Sequence, residues 1–217
     1  ADITTLKLLD HDKLSFHGGC VKVKGRGFVI TGLPDVGKTY STMELLRRDD
    51  SSGFLAEDIL VTDANNLVYS VPFTQTVEKR RALSASEKIG SYVYNSFIRH
   101  NYIKSDVMQA MPGVRDRIVE KTDVEAIFFL KRGREKINKI VNKDGVIDEF
   151  VRLNNLEFGY SRNVMLLSSL YFNRGMGMVD YLNKERDLIA KFVKNLDVYE
   201  IYAERPEKYA DIIQKYI

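Results

Sequence analysis

The stretch FVITGLPDVGKT, residues 28–39, decides the fold of this 217-residue chain. Residues 28–30 form a continuous apolar run, which predicts a strand that is covered on both faces. A helical pattern follows at residues 38–48. Between the two, residues 32–39 match G-x-x-x-x-G-K-[ST] without a gap. A strand, a glycine-containing turn and a helix are the context in which this pattern acts as a phosphate-binding loop, or P-loop.

The residue types of this loop explain its predicted chemistry. Gly32 and Gly37 let the backbone bend so that successive N–H groups point inward as an anion nest, and the dipole of the following helix adds to it. Lys38 is placed to reach the β- and γ-phosphates, and Thr39 offers a hydroxyl to Mg²⁺. We therefore predict a nucleotide held by nine successive residues: Gly32, Leu33, Pro34, Asp35, Val36, Gly37, Lys38, Thr39 and Tyr40.

Two adjacent carboxylates, Glu57 and Asp58, follow the next apolar segment soon after the loop and its helix. One member of such a pair can organise Mg²⁺, and the other can accept a proton from an attacking hydroxyl. Acidic pairs are also common on protein surfaces, and it is the position after the loop that favours the functional interpretation. His17, in SFHGG at residues 15–19, is typical of an ordinary loop residue when it is considered alone.

The composition is that of a globular protein, with 44% hydrophobic and 29% charged residues. The net charge of +3 comes from 33 basic and 30 acidic residues, so we expect no nucleic-acid partner. The single cysteine, Cys20, excludes an intramolecular disulfide and suits a reducing compartment. No apolar run reaches the roughly 18–20 residues of a transmembrane helix, and the first residues do not resemble a secretory signal. We therefore expect a cytoplasmic protein with no membrane partner.

The remaining sequence predicts an α/β fold, because strand patterns precede and alternate with helical ones. Two strands are predicted within residues 20–31, around a turn at Gly25, Arg26 and Gly27. A hairpin is predicted within residues 59–69, and residues 101–123 are expected to be irregular. No boundary is evident, so we predict a single domain over residues 1–217. The other predicted elements are strands at 54–56, 124–130 and 198–203 and helices at 84–100, 144–156, 163–172, 180–195 and 206–217.

Residues 16–60 contain FHGGCVKVKGRGFVITGLPDVGKTYSTMELLRR and then GFLAEDI, and they resemble the catalytic domain of the bacterial HPr kinase/phosphorylase family. They also resemble, more distantly, the phosphoenolpyruvate carboxykinases that share its fold. The common features are a His-Gly step, a strand pair with a glycine turn, the P-loop, a helix that ends in basic residues and a strand that ends in paired acids. The resemblance implies a P-loop domain of this type, with a mixed central sheet flanked by helices, and a homo-oligomer.

The resemblance also implies roles for individual residues. His17 would lie near the γ-phosphate and the metal, Glu57 would be the general base, and Asp58 would associate with the metal. The family has Asp at the position of Glu57, and its Ile-Arg-Gly-Leu-Gly-Ile signature is not found soon after Asp58. The chain is therefore predicted to be a divergent relative. The predicted catalytic residues are His17, Lys38 and Glu57, and the predicted metal ligands are Thr39, Glu57 and Asp58.

Together these features predict an ATP- and Mg²⁺-dependent kinase that transfers the γ-phosphoryl group to a hydroxyl, in the leading interpretation a serine, of a protein, peptide or small molecule. Two alternatives stay open. One is a nucleotide hydrolase or switch, in which water replaces the hydroxyl. The other is a nucleotide-binding regulatory module with decayed catalysis, which the Glu at position 57 favours. Arg80 and Arg81 are candidates for a positive charge near the γ-phosphate, although a solvated basic turn is the favoured interpretation.

Overall fold

The computed structural model describes residues 2–71, 76–78, 104–106, 114–172 and 177–217. Its helices are α1 (Asp2–Asp10), α2 (Lys38–Arg48), α3 (Lys143–Glu157), α4 (Val164–Phe172), α5 (Met178–Val193) and α6 (Pro206–Gln214). Its strands are β1 (Lys13–Val23), β2 (Arg26–Gly32), β3 (Gly53–Ala56), β4 (Ile59–Asp63), β5 (Leu67–Tyr69), β6 (Thr76–Glu78), β7 (Lys104–Asp106), β8 (Lys121–Arg132), β9 (Lys136–Lys139) and β10 (Asp197–Ala203).

The chain divides into two compact units. The larger unit comprises residues 1–73 and 117–217, and the smaller comprises residues 74–116. In the described part of the smaller unit, β6 and β7 pair antiparallel. The expectation of a single domain stays a prediction, and the candidate site described below lies within the larger unit.

The central sheet of the larger unit is mixed. β3, β1 and β2 pair antiparallel in that order, β2, β8 and β10 are parallel, and β9 pairs antiparallel with β10. The first residues of β1 pair with β4, β4 pairs with β5, and β5 pairs with the first residues of β8. All three pairings are antiparallel. The prediction of an α/β fold with a mixed central sheet and flanking helices is confirmed.

The strand before the loop, β2, is buried on both faces, as its apolar run predicts. Val29 belongs to a core cluster that also contains residues of α1, α3 and α5. Phe28 is equally buried but lies outside that cluster, and its ring stacks on Phe128 with centroids 6.1 Å apart. Because successive residues of a strand point to opposite faces, these two rings lie on the other side of the sheet. There α2 and α6 contact each other and pack on β1, β2 and β10.

The carboxyl ends of several strands meet at one edge of the central sheet. Gly32 at the end of β2 pairs with Leu130 of β8, and Ala203 at the end of β10 pairs with Arg132. β3 runs parallel to β2, because both strands are antiparallel to β1, and it also ends at this edge. Open α/β sheets bind their ligands at this edge. The predicted P-loop begins here.

Several predicted boundaries are wrong. β1 begins at Lys13 rather than near residue 20, so His17 lies in a strand and not in a loop. The turn after β1 consists of Lys24 and Gly25, whose φ angles of 49° and 83° suit a two-residue hairpin turn. Arg26 and Gly27 therefore lie in β2. Both β7 and the start of β8 fall within the segment predicted to be irregular, and α1 and β9 were not predicted.

Other predictions agree with the structure. The helix after the loop has the predicted bounds, and the hairpin of β4 and β5 lies where the sequence places it. α6 begins at Pro206, whose fixed φ and missing N–H suit a first helical position. The predicted helix at 84–100, together with Arg80 and Arg81, lies outside the described residues. None of the helices in the described ranges is long and apolar enough to cross a bilayer.

Candidate functional site

The loop between β2 and α2 is fixed to neighbouring elements at two points. Gly37 has a φ of 114°, in the region that favours glycine, and a Cβ atom there would lie 2.9 Å from Cβ of Pro206. The second glycine of the motif therefore allows the loop to pack closely on the start of α6. On the β8 side, Nη2 of Arg132 donates a hydrogen bond of 2.9 Å to the carbonyl oxygen of Asp35.

Lys38 is folded back over this loop. Its side-chain ammonium donates hydrogen bonds of 3.0 and 2.9 Å to the carbonyl oxygens of Gly32 and Leu33. The residue is only 6% exposed, and this burial lowers the pKa of the Lys38 ammonium below its ordinary value. The negative charges of Glu157 and Asp58 act in the opposite direction. The structure thus holds a desolvated cation at the mouth of the loop.

Glu57 lies beside the start of α2, where the Thr39 hydroxyl donates a hydrogen bond to its Oε1 atom. Glu57 is 5% exposed, and within the described part of the chain its Oε2 atom has no hydrogen-bond partner. Burial raises the pKa of the Glu57 carboxyl above its ordinary value, although the bond from Thr39 lowers it. A buried oxygen without a partner is costly, and a cation or a proton would satisfy it.

His17 lies between two carboxylates at the same edge of the sheet. β1 brings it there because Gly18 pairs with Thr31, one residue before the end of β2. Nδ1 of His17 lies 3.1 Å from Oδ1 of Asp58, and Nε2 lies 3.9 Å from Oε1 of Glu157. The structure therefore brings together the predicted residues His17, Lys38, Thr39, Glu57 and Asp58.

Glu157, the last residue of α3, is not among the predicted site residues, and the predicted helix ends one residue before it. One local signal existed, because helix carboxyl ends favour basic residues and the last turn of α3 contains none. A carboxylate in that position opposes the helix dipole, which is a local cost of the kind found at functional sites.

Asn154 fixes the end of α3 against the sheet. Its Nδ2 atom donates to the carbonyl oxygen of Ser15, at 3.1 Å, and to Oε1 of Glu185, at 2.7 Å. Asn154 is fully buried, and it lies one helical turn before Glu157. Since Ser15 is two residues before His17 on β1, this contact fixes the end of α3, and with it Glu157, to the strand that contains His17.

Replacement of Asn154 by alanine is expected to lower the free energy of unfolding by about 2–3 kcal/mol, because two buried hydrogen bonds are lost. The measurement is thermal or urea unfolding followed by circular dichroism. The matched control is Asn138→Ala on β9, where the side chain is exposed. Equal stabilities of the two variants would show that the Asn154 contacts do not hold α3.

A close approach at Gly19 fixes the position of α2 on the sheet. A Cβ atom at Gly19 would lie 2.3 Å from Oγ1 of Thr42, closer than real contacts allow. We expect Gly19→Ala to lower the free energy of unfolding by about 1–3 kcal/mol, because α2 must shift to relieve the clash. Gly145→Ala on α3 is the control, since a Cβ atom there meets nothing within 4 Å. If both variants unfold at the same temperature, the packing of α2 on β1 is looser than described.

The same residues fit a magnesium ion that is shared with a polyphosphate. In the described ranges, no group of three or more His, Cys, Asp or Glu residues is arranged to hold a metal by itself. Mg²⁺ usually takes only one or two protein carboxylates and completes its shell with phosphate oxygens and water. The Thr39 hydroxyl, the unpartnered Oε2 of Glu57 and the adjacent Asp58 offer oxygen donors of that kind.

Comparisons with known proteins give a likeness to solved structures. No protein-family model and no curated protein matches the sequence. Among solved structures, the HPr(Ser) kinase/phosphatase from Coxiella burnetii is similar over 93% of this chain and 95% of that chain, with 11% sequence identity and a TM-score of 0.43. This likeness concerns the fold alone, and no residue role is taken from it. Membership of the HPr kinase family therefore stays a prediction from residues 16–60.

Proposed function

We propose that this chain is an ATP-dependent kinase that transfers the γ-phosphoryl group to a hydroxyl of a protein, a peptide or a small molecule, with serine as the leading acceptor. One observation carries the proposal. The buried carboxylate of Glu57 accepts a hydrogen bond from the Thr39 hydroxyl at the start of α2, and among the described residues its second oxygen has no partner. Because burial raises its pKa, this carboxylate is a stronger base than an exposed glutamate.

In the proposed reaction the acceptor oxygen forms a bond to the γ-phosphorus while the bond from that phosphorus to the β–γ bridging oxygen breaks. ADP leaves with the electron pair of the broken bond, in line with the attacking oxygen. Glu57 takes the hydroxyl proton on its free oxygen and releases it to water after the products have left. This assignment uses the one buried carboxyl oxygen of the pair that has no partner in the described structure.

Lys38 and the loop bind the phosphates in this proposal. The Lys38 ammonium would exchange the carbonyl oxygens of Gly32 and Leu33 for β- and γ-phosphate oxygens, where its charge offsets the charge that develops on the leaving group. Backbone N–H groups at the start of α2 would bind the same oxygens. The loop would therefore both hold the nucleotide and favour departure of ADP.

Asp58 orients His17 in this proposal. Oδ1 of Asp58 lies 3.1 Å from Nδ1 of His17 and would hold the ring so that its Nε2 atom stays on the Glu157 side. Mg²⁺, held by the Thr39 hydroxyl and Asp58, would supply Lewis-acid neutralisation of the phosphate oxygens when bound, and Oε2 of Glu57 would stay free for the proton. His17 would then act near the γ-phosphate as a polar group of fixed orientation.

Incubation with ATP labelled at the γ-phosphate tests the proposal. The intact chain is mixed with serine-containing peptides and small hydroxyl compounds, and label in the acceptor is measured separately from free phosphate. We expect label in an acceptor, dependent on Mg²⁺. Stoichiometric release of free phosphate without an acceptor would instead support a hydrolase or switch. Nucleotide binding with neither outcome would contradict catalysis and support a regulatory module.

A further inference from the structure

We propose that the acceptor carries a positive charge beside its hydroxyl and that Glu157 binds this charge. The inference rests on the function proposed above, and it names the class of acceptor that the same site takes. Glu157 has no part in the reaction steps just described. Its carboxylate nevertheless lies among the residues that perform them, next to His17 and within electrostatic reach of Lys38.

The two other carboxylates of the site have partners in the protein. Glu57 accepts from the Thr39 hydroxyl, and Asp58 lies within hydrogen-bond distance of His17. Glu157 lies 3.9 Å from Nε2 of His17, which is longer than a hydrogen bond. Its side chain is 24% exposed, so a molecule from solvent can reach it. Glu157 is therefore the carboxylate of this group that is open to a ligand.

The position of Glu157 concentrates negative potential at one point. It ends α3, where the macrodipole is negative and the last turn contains no basic residue. It is also first among the residues whose negative charge raises the pKa of Lys38 against the effect of burial. Bound MgATP keeps a net negative charge, and the single positive charge of Lys38 does not offset it together with three carboxylates, so the occupied site stays negative unless a further cation lies nearby. An acceptor with a positive charge supplies that cation.

The unpartnered Oε2 of Glu57 indicates where the acceptor hydroxyl would be placed. This oxygen is buried and, among the described residues, bonds nothing, so it is the position at which a hydroxyl proton would be accepted. Glu57 and Glu157 both act electrostatically on Lys38, so a hydroxyl at the first and a cation at the second would belong to one acceptor. An α-ammonium of free serine or threonine meets this requirement, and so does a serine next to Arg or Lys in a peptide.

The test compares acceptors that differ only in charge, with the intact chain at saturating MgATP. One set contains three short peptides of otherwise identical sequence in which the residue before the serine is Arg, Gln or Glu. A second set contains L-serine and N-acetylserine, so that the two sources of cation are distinguished. We expect kcat/KM for the cationic member of at least one set to exceed that for its neutral member by about tenfold.

Variants of Glu157 assign this preference to one carboxylate. Glu157→Gln is expected to reduce the ratio of kcat/KM for the cationic and neutral acceptors by about tenfold, and Glu157→Arg is expected to reverse it in favour of the acidic peptide. Glu120→Gln, at an exposed position just before β8, is the charge-matched control and should keep the wild-type ratio. The reversal is a gain of function, which misfolding cannot imitate.

Four results would overturn the inference. The first is a wild-type preference for neutral or acidic acceptors, which decides the matter even if both variants misfold. The second is a Glu157→Gln variant in which the ratio of kcat/KM for cationic and neutral acceptors is the same as in the wild type. The third is an equal loss with every acceptor, which would mean that Glu157 acts on Lys38 or His17 instead. The last is transfer to no acceptor while nucleotide still binds, which contradicts the proposed function and this inference with it.

Discussion

Glu57→Gln is expected to lower kcat by about 10²–10⁴-fold, the contribution of a general base, while the affinity for MgATP changes little. Glutamine keeps the size of the side chain and an oxygen that can accept from Thr39, but it cannot take a proton. The measurement is steady-state transfer of labelled phosphate, with nucleotide affinity from titration of the same preparation. An unchanged kcat would exclude Glu57 as the base.

The same variant is expected to be more stable than the wild type near neutral pH. Burial raises the pKa of Glu57, so between its unfolded and folded pKa values the folded state binds more protons than the unfolded state. Stability therefore falls as pH rises through that window, and glutamine removes the loss. We expect the melting temperature of Glu57→Gln to exceed that of the wild type at pH 7 and to approach it at low pH.

The pH dependence of turnover follows from the same shift. Only the ionised carboxylate accepts a proton, so kcat/KM should rise with pH through the raised pKa of Glu57 and then level off.

Glu57→Asp distinguishes decayed catalysis from catalysis that is suited to glutamate. A gain in activity would indicate that catalysis has decayed at this position, whereas a loss would indicate that the longer side chain suits this site.

Lys38→Ala is expected to lower kcat/KM by about 10²–10³-fold, the typical cost of losing one preorganised charged donor, and to weaken ATP binding. The control is Lys194→Ala, which removes a charge from an exposed position. Burial lowers the pKa of Lys38, so its charge is unfavourable in the fold, whereas its hydrogen bonds to two loop carbonyl oxygens are favourable. Because these two effects oppose each other, Lys38→Met, which keeps an apolar stem, should melt close to the wild-type temperature, so that its loss of activity does not come from unfolding.

Wild-type values of turnover and ATP affinity in Lys38→Ala would contradict the assignment of the loop. An equal loss in Lys194→Ala would show that the effect is one of net charge and not of position. Nucleotide titration and label transfer on the wild type, Lys38→Ala and Lys194→Ala distinguish these outcomes.

The sequence predicted those parts of the fold whose signals are local. β2, the loop and α2 are adjacent in the chain, and each has its own pattern of apolar residues, glycines or helix formers. The hairpin of β4 and β5 and the start of α6 at Pro206 are local in the same sense. The acidic pair after β3 was also recognisable, because it follows the loop so soon in the sequence.

Parts of the fold and site that depend on distant contacts were not predicted. Glu157 reaches the site because α3 packs on the sheet, where Asn154 donates a hydrogen bond to the backbone of Ser15, a residue far away in the chain. β9 has a polar sequence, and its pairing with β10 identifies it as a strand. The close packing of Gly19 on Thr42 is equally invisible, because no local pattern brings α2 to β1.

Calorimetric titration of the intact chain with ATP, ADP and AMP, each with and without Mg²⁺, tests most directly whether residues 32–39 hold a polyphosphate. We expect one site per chain, with ATP and ADP bound far more tightly than AMP and with ATP binding strengthened by Mg²⁺. Absence of binding by all three nucleotides, or equal affinities for ATP and AMP, would contradict the central claim that this loop grips a phosphate chain.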